Sequence, residues 1–332
     1  GIYLFMQRKT QLIGISNAIV DILSKVNYDF LGDINAEPGS MNLIDATEAD
    51  LLYEKLTKTK EMSGGSVANT IACFSNFGGD AGYIGQVKND KFGNVFIEDM
   101  KSMDVDVRLE PSTMGSPTAK SHILITEDGQ RTMQTYLGAC TELSSEDINS
   151  KTIGETEIIL LEGYLWDIPD INAIAERIAK IKNKSSARIA LSLSDSFCVE
   201  RHHKAFSEIV NDMVDIIFAN EEEMMTLTDS DSYDDMIKGA LKLNKISVVT
   251  LGEKGSVIIN KSDVIQSNAI ETKNVIDTTG AGDTFTAAFL FGFISGKNIK
   301  ECAELGSWSA SKVIQQIGAR LDKNTLKNCP LI

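Results

Sequence analysis

Histidine is scarce in this chain of 332 residues, which holds only His122, His202 and His203. Their spacing fits no zinc-ligand pattern and supplies no evident Ser-His-Asp triad. The five cysteines, Cys73, Cys140, Cys198, Cys302 and Cys329, are scattered and form no C-x-x-C. They read as free thiols in a reducing cytosol rather than as a disulfide framework. Positive charge is in deficit, with 32 Lys and Arg against 47 Asp and Glu and a formal net charge of −15. So acidic a chain is poorly matched to the nucleic-acid backbone or to an anionic membrane surface. No stretch approaches the ~20 apolar residues of a membrane span. The apolar start, Gly1 to Met6, is too short for a signal-peptide core and reads as added residues before a native Met6. Two phosphate-binding fingerprints are also missing. Without G-x-x-x-x-G-K-[ST] the chain is not a P-loop enzyme, and without G-x-G-x-x-G after the first strand a dinucleotide-binding dehydrogenase is disfavoured. These absences leave a cytoplasmic protein that acts on a small molecule, with no nucleic acid and no membrane as partner.

What is present is ordinary globular composition, 42% hydrophobic and 24% charged. Short apolar runs alternate with helical stretches. Strands are expected at Leu12–Ile15, Ala81–Ile84, Glu157–Leu161, Arg188–Leu193, Ile216–Ala219, Ile246–Thr250, Ser256–Asn260 and Val264–Ile270. Helices are expected at Val67–Phe77, Asp90–Met100, Ile171–Ile181, Ala205–Val210, Thr284–Ser295 and Ile299–Ile317, with another ending near Leu243. That rhythm predicts an α/β fold whose mostly parallel central sheet carries helices on both faces. Two β-patterned runs, Ser121–Thr126 and Arg131–Tyr136, are joined through Asp128-Gly129 and predict a hairpin. Residues 17–46 and 114–138 break the rhythm and are read as a small β-sheet lid. Residues 1–16, 47–113 and 139–332 then form the large domain.

Five segments carry chemistry. Asp277-Thr-Thr-Gly280-Ala281-Gly282-Asp283 runs directly into an apolar helix. Small residues there let backbone N–H groups meet an anion at a helix N-terminus, and Asp283 can take a proton from an attacking hydroxyl. The plainer reading is a capped turn with an acidic first position. The helix end is expected to hold the Asp283 carboxylate at low pKa and ionised. Gly64-Gly65-Ser66-Val-Ala-Asn69 opens a second helix, where paired glycines let a ligand lie against the backbone. Asn17 and Asp21 follow the first strand, and a carboxylate at a strand's carboxyl end suits two vicinal hydroxyls. Asn220 and Glu223, after another strand, suit a hydrated Mg²⁺ near phosphates or a merely acidic first helical turn. Thr250-Leu-Gly252-Glu-Lys-Gly255 is a tight turn that can pass close to a nucleotide.

Together, Gly64-Gly65 with Asn69 and Asp277-Thr-Thr-Gly-Ala-Gly-Asp283 resemble the two signatures of the PfkB/ribokinase family of small-molecule kinases, over nearly the whole chain from Gln11 to about Ala319. The resemblance implies a ribokinase-like α/β domain with a small β lid, and ATP-dependent phosphorylation of a hydroxyl. It casts Asp283 as catalytic base, with Gly280, Ala281 and Gly282 as anion hole. Asn17, Asp21, Gly64, Gly65 and Asn69 become the substrate set, joined by Arg131 of the lid, which matches an arginine that reaches phosphates in nucleoside kinases. Asn220, Thr250, Gly252 and Gly255 become nucleotide contacts, and Glu223 acts on Mg²⁺ through water. Asp277, Thr279 and Gly318 resemble a loop that holds a monovalent cation such as K⁺ in some members. Asn17-x-x-x-Asp21, Gly-Gly-Ser66, Leu191–Ser194 and Gly129-Gln-Arg131 are most similar to the branch that converts adenosine to AMP. Thr279, where that branch often has Asn, and Met41, near which it has Gln, depart from it. A carbohydrate kinase for ribose, fructose or a keto-deoxy sugar acid is the alternative. Met41, Tyr136, Tyr164 and Leu165 are candidates for stacking a base. Members of the family are monomers or homodimers.

Overall fold

A computed structural model describes residues 8–332, so the expectation about residues 1–6 lies outside the described residues. The chain folds into two sheets. The strands are β1 (Thr10–Ile15), β2 (Ile19–Lys25), β3 (Met41–Leu43), β4 (Lys60–Gly64), β5 (Ala81–Ile84), β6 (Asp106–Val107) and β7 (Ala119–Ile125). They continue with β8 (Arg131–Tyr136), β9 (Thr156–Glu162), β10 (Arg188–Ser192), β11 (Ile216–Asn220), β12 (Ile246–Thr250), β13 (Ser256–Asn260) and β14 (Asp263–Ser267).

Nine strands form the larger sheet in the order β14-β13-β12-β11-β10-β9-β1-β5-β6. From β12 to β6 every pairing is parallel, while β13 and β14 add an antiparallel edge. The strands alternate between two cores. Leu12, Ile158, Leu160, Ala190, Phe218 and Val248 face one, and Ile13, Ile159, Leu161, Leu191, Ile217 and Val249 face the other. Burial on both faces explains why these strands read as unbroken apolar runs. On the first face lies the helix Ala281–Ile294, packed between the helices Ser66–Asn76 and Ile299–Val313. Its Phe285, Ala287, Ala288, Phe289 and Leu290 are all buried, as befits a helix that is apolar nearly all round.

The second sheet has the order β3-β8-β7-β2-β4. The expected hairpin is there, with β7 and β8 antiparallel. Two elements fall in the stretch 47–113 that the sequence reading assigned wholly to the large domain. Strand β4 pairs with β2 in the small sheet, and the helix Ala46–Lys55 packs on β7 and β8. Residues directly opposite one another across the strands share a face. Asp21 stands opposite Met62 and Ser121, Ser121 opposite Thr135, and Thr135 opposite Leu43. Ile123 stands opposite Leu23 and Met133, and Met133 opposite Met41. One face therefore holds Asp21 among mostly apolar side chains. Arg131, two residues from Met133, lies on that same face.

Candidate active site

The carboxyl ends of the parallel strands converge on one crevice, the usual ligand position in such sheets. Asn17 follows β1, Glu162 ends β9, Ser192 ends β10, Asn220 ends β11 and Thr250 ends β12. Asp283 meets them from the first turn of the helix Ala281–Ile294. Gly280 caps that helix at φ 79°, and a Cβ there would lie 2.5 Å from the Ala319 Cβ. Both backbone conformation and space thus demand glycine at this turn. The helix begins three residues earlier than its apolar pattern suggests, and so carries the Gly-Ala-Gly backbone into the crevice.

Asp283 is held by the opposing helix Ser66–Asn76. The Ser66 hydroxyl donates to its Oδ1 at 2.5 Å, and the Asn69 amide donates to its Oδ2 at 3.2 Å. Thr70 Oγ1 donates to the Asp283 backbone carbonyl at 3.1 Å, which clamps the two helices together. Contrary to the expectation of a low pKa, burial pushes the Asp283 carboxyl up, against the pull of the Ser66 and Asn69 hydrogen bonds and the Arg320 charge. Desolvation here outweighs the helix end. Of the amides beside it, Ala281 N–H donates to the Thr278 carbonyl at 3.3 Å, whereas the N–H groups of Gly280 and Gly282 have no partner among the described residues. A Cβ on Gly282 would meet nothing within 4 Å, so this backbone faces open space.

That space is a cavity of about 130 Å³ lined by Asp283, Gly282, Ser66, Glu223, Asn220 and Thr250. It adjoins a groove of about 720 Å³, because Thr250, Gly282 and Phe285 line both. Gly252 and Gly255 form the wall of the groove as the turn between β12 and β13. Gly255 sits at φ 89°, and a Cβ there would fall 2.0 Å from the Ser267 carbonyl oxygen.

Asp21 lies beside Gly64, where a Cβ would come within 2.3 Å of all three carboxyl atoms of Asp21. Burial pushes the Asp21 carboxyl up to about 6, although Arg320 and Arg131 pull it down. Gly65, at φ 97°, passes the Asn17 backbone so closely that a Cβ would lie 3.0 Å from the Asn17 carbonyl oxygen. Asn17 Oδ1 is buried with no partner among the described residues, an acceptor a ligand hydroxyl can satisfy.

Ser66, part of the Gly64-Gly65-Ser66 motif but given no role there, holds Asp283. Two further residues of the site, Glu162 and Arg320, stand outside every motif. Glu162 accepts from the Asn17 N–H at 3.2 Å and the Val67 N–H at 3.1 Å, and burial pushes its carboxyl up to about 7. Its one sequence signal is a lone acidic residue at the carboxyl end of the expected strand Glu157–Leu161. Arg320 donates to Asn69 Oδ1 at 3.0 Å and to Ser63 Oγ at 2.6 Å, and no sequence motif marks it.

Asn220 and Glu223 make a reciprocal cap: Glu223 N–H donates to Asn220 Oδ1 at 2.8 Å and Asn220 N–H to Glu223 Oε1 at 3.2 Å. The capping reading and the metal reading coexist, because Glu223 also faces the cavity beside Asp283. Burial pushes its carboxyl up to about 7, so a cation there would gain from an otherwise poorly solvated carboxylate. All-oxygen donors of this kind fit Mg²⁺. The residues expected to hold a monovalent cation fit less well. Asp277 accepts from Thr279 N–H at 3.0 Å, Gly318 N–H at 3.2 Å and Arg131 Nη2 at 2.7 Å. Its charge is already matched by the guanidinium, which lowers its gain from a cation, although Oδ1 has a single donor. Arg131, expected at the phosphates, spends its charge on this pair. Among the base-stacking candidates, Leu165 is fully buried in the core and Tyr164 is hydrogen-bonded to Asp195. Tyr136 stands opposite Lys120, off the face that bears Asp21. Met41 remains open, 55% exposed. Elsewhere Asp167, Cys198 and His202 cluster, but Arg201 donates to both Asp167 oxygens and burial pushes the Cys198 thiol up to about 12.

Known proteins identify the family. The pfkB family of carbohydrate kinases matches residues 34–326. The fold superposes on a probable sugar kinase from Rhizobium etli CFN 42 with a TM-score of 0.88 and 39% identity, over 98% of this chain and 100% of that one. It superposes equally on the adenosine kinase from Sinorhizobium meliloti, with a TM-score of 0.86 and 39% identity over 96% and 99% of the two chains. A ribokinase of Arabidopsis thaliana is 27% identical over 310 residues, 86% of this chain and 79% of that protein. The chain belongs to the pfkB family of carbohydrate kinases, and the ribokinase-like architecture expected from its motifs is the one observed. It is a phosphotransferase that uses a hydroxyl group as acceptor, and kinases of this family draw the phosphoryl group from ATP. No helix among the described residues is long and apolar enough to cross a membrane.

Proposed function

We propose that this kinase phosphorylates the primary 5′-hydroxyl of a nucleoside, converting adenosine to AMP. The observation that carries this reading is the composition of the small-sheet face around Asp21. A carboxylate suited to a ribose diol stands on the same face as Ile123, Met133, Met41 and Leu43, which lie one to three strands away across the sheet, with the last two 55% and 64% exposed. A free sugar is polar on every edge and gains little from such a surface. A purine attached to a ribose would cover it.

In the mechanism, Asp21 and Asn17 hold the ribose hydroxyls, and Gly64 and Gly65 let the sugar lie against the backbone. ATP occupies the groove beside Thr250, Gly252 and Gly255. Asp283 takes the proton of the 5′-hydroxyl as its oxygen attacks the γ-phosphorus, and the bond to ADP breaks in line. Its raised pKa brings the base closer to the working pH, where proton transfer is most effective. The unpartnered amides of Gly280 and Gly282 meet the charge that develops on the phosphoryl oxygens, and Ala281 between them holds the turn. Glu223 and Asn220 would hold Mg²⁺, which would supply further charge compensation there. The small sheet acts as a lid, and the Arg131–Asp277 pair ties it to the loop that precedes Gly280. A closed lid excludes water, which protects ATP from hydrolysis. The five cysteines are all buried and unpaired, which supports the cytoplasmic reading.

A carbohydrate acceptor is the second reading, because one of the two relatives at 39% identity is described as a sugar kinase and Asn17, Asp21 and Asn69 suit any vicinal diol. A competition assay separates them. Adenosine should show a kcat/KM at least about tenfold above ribose, fructose and keto-deoxygluconate, a gap of ~1.4 kcal/mol. A sugar that wins this competition overturns the nucleoside assignment.

A further inference from the structure

Arg320 lies outside every motif of the family described above, yet its guanidinium enters the centre of the site. Nη1 donates to Ser63 Oγ at 2.6 Å and approaches Asp99 Oδ2 at 3.5 Å. Asp99 Oδ2 in turn accepts from the Ser63 N–H at 2.8 Å and the Ser63 hydroxyl at 2.6 Å. Nε donates to Asn69 Oδ1 at 3.0 Å. An arginine can only donate, so this bond fixes which end of the Asn69 amide is which. With its oxygen claimed, Asn69 must turn its NH₂ toward Asp283, where it donates at 3.2 Å. The side chain is mostly buried, 14% exposed, and its Nη2 is buried with no partner among the described residues.

We propose that Arg320 is a positioning residue for phosphoryl transfer, which orients Asn69 against the catalytic carboxylate and sets the electrostatics of both acceptor-side carboxylates from the C-terminal loop. The inference rests on the reading of Asp283 as the base and extends it to a residue that nothing in the motifs assigns. The chain Asp99–Ser63–Arg320–Asn69–Asp283 runs from the helix Lys91–Ser102 through β4 of the small sheet to the reacting centre. It gives that sheet a route, independent of Arg131, to the geometry of the base.

The charge of Arg320 acts on both acids. The ionisable groups facing Asp283 are Arg320, Glu162, Glu223 and the Cys73 thiol, and those facing Asp21 are Arg320 and Arg131. Burial raises both carboxyls, and Arg320 is the one cation common to the two. Removing it takes away the pull toward the ionised form on both, so each carboxyl should titrate higher.

The test is the pH profile of kcat, from pH 5 to 9 at saturating ATP and adenosine, for the whole protein and for Arg320→Met, Arg320→Lys, Asn69→Ala and the Arg320→Met/Asn69→Ala double variant. Arg320→Met should lower kcat at pH 7 at least about tenfold and move the acid limb up by about one pH unit or more, with ATP affinity little changed. Arg320→Lys keeps the charge without the fork, so it should restore the acid limb but not the full kcat. Asn69→Ala should cost much less in the Arg320→Met background than alone, because its orientation is already lost there. An acid limb that stays in place together with additive losses overturns the proposal. Should Arg320→Met fail to fold, Arg320→Lys decides: full wild-type kcat in that variant contradicts the fork's role. Asp283→Asn, measured in parallel, reports on the base alone. A dead Asp283→Asn beside an unmoved Arg320 profile refutes only the positioning role, whereas an active Asp283→Asn refutes the base reading.

Discussion

Replacing Gly64 by alanine tests how the site holds its acceptor. The new Cβ would stand 2.3 Å from the Asp21 Cγ and from both carboxylate oxygens. Ordinary carbon–carbon contact begins near ~3.5 Å, so the carboxyl group must retreat by about 1 Å. The backbone cannot absorb this cheaply. Gly64 pairs with Ile19 and Met62 with Asp21 in one antiparallel register, and a shift of β4 would break that ladder. Nor can the aspartate swing away freely, since its short side chain is packed at the foot of the crevice between the Arg320 and Arg131 charges. A misplacement of about 1 Å in a positioning group costs on the order of a hundredfold. The kcat/KM for adenosine should therefore fall about a hundredfold, equivalent to ~2.7 kcal/mol at 1.36 kcal/mol per decade. The KM for ATP should change by less than about twofold, because neither Gly64 nor Asp21 lines the groove proposed for the nucleotide. Steady-state kinetics with each substrate varied in turn, beside a melting curve, make the measurement. A folded Gly64→Ala protein with wild-type acceptor kinetics would refute the contact between Asp21 and the acceptor.

Glu223→Gln should raise the Mg²⁺ concentration needed for half-maximal rate more than it alters the adenosine KM, and an unchanged Mg²⁺ titration would remove Glu223 from the metal site. Glu162 should make stability fall with pH. Its carboxyl titrates near 4.5 in the unfolded chain and at about 7 when folded, so the folded state binds the extra proton between those values. Stability is then greatest below pH 4.5 and declines as pH rises through 7, by at most roughly 3 kcal/mol for this group. Glu162→Gln should remove that part of the slope. Denaturant titrations of both proteins from pH 5 to 8 check the sign, and a wild-type advantage that grows with pH would contradict it.

The large sheet was legible because its parallel strands are covered on both faces and so stand out as apolar runs between helices. The small sheet was less so. Its strand β4, Lys60-Glu-Met-Ser-Gly64, has no alternation or β-branched enrichment of its own and is a strand because β2 pairs with it. The helix Ala46–Lys55 carries a local signal in the capping box Asp45-x-x-Glu48, set in a segment of otherwise mixed character. Helix ends misled where conformation rather than composition decides them. The left-handed Gly280 starts its helix at Ala281, and the last long helix stops at Val313 instead of Ile317. Local motifs found Asp283, Gly64, Gly65 and Asn69, which lie in two short segments. The side chains that organise them, Glu162 and Arg320, are 95 and 251 residues from the groups they bind, beyond the reach of any local pattern.

Asp283→Asn isolates the basic oxygen that takes the proton of the attacking hydroxyl. Asparagine is nearly isosteric and removes the basic oxygen. One of the two donors that now converge on the carboxylate, Ser66 Oγ, can rotate to suit the new amide, so the helix pair should stay folded. ATP affinity should hold, since the Gly280–Gly282 backbone is untouched. The kcat should fall by at least about a hundredfold with the melting temperature little changed. A folded Asp283→Asn enzyme that keeps more than about a tenth of wild-type kcat would contradict the base role, and would return Asp283 to the role of a helix-start residue without chemistry.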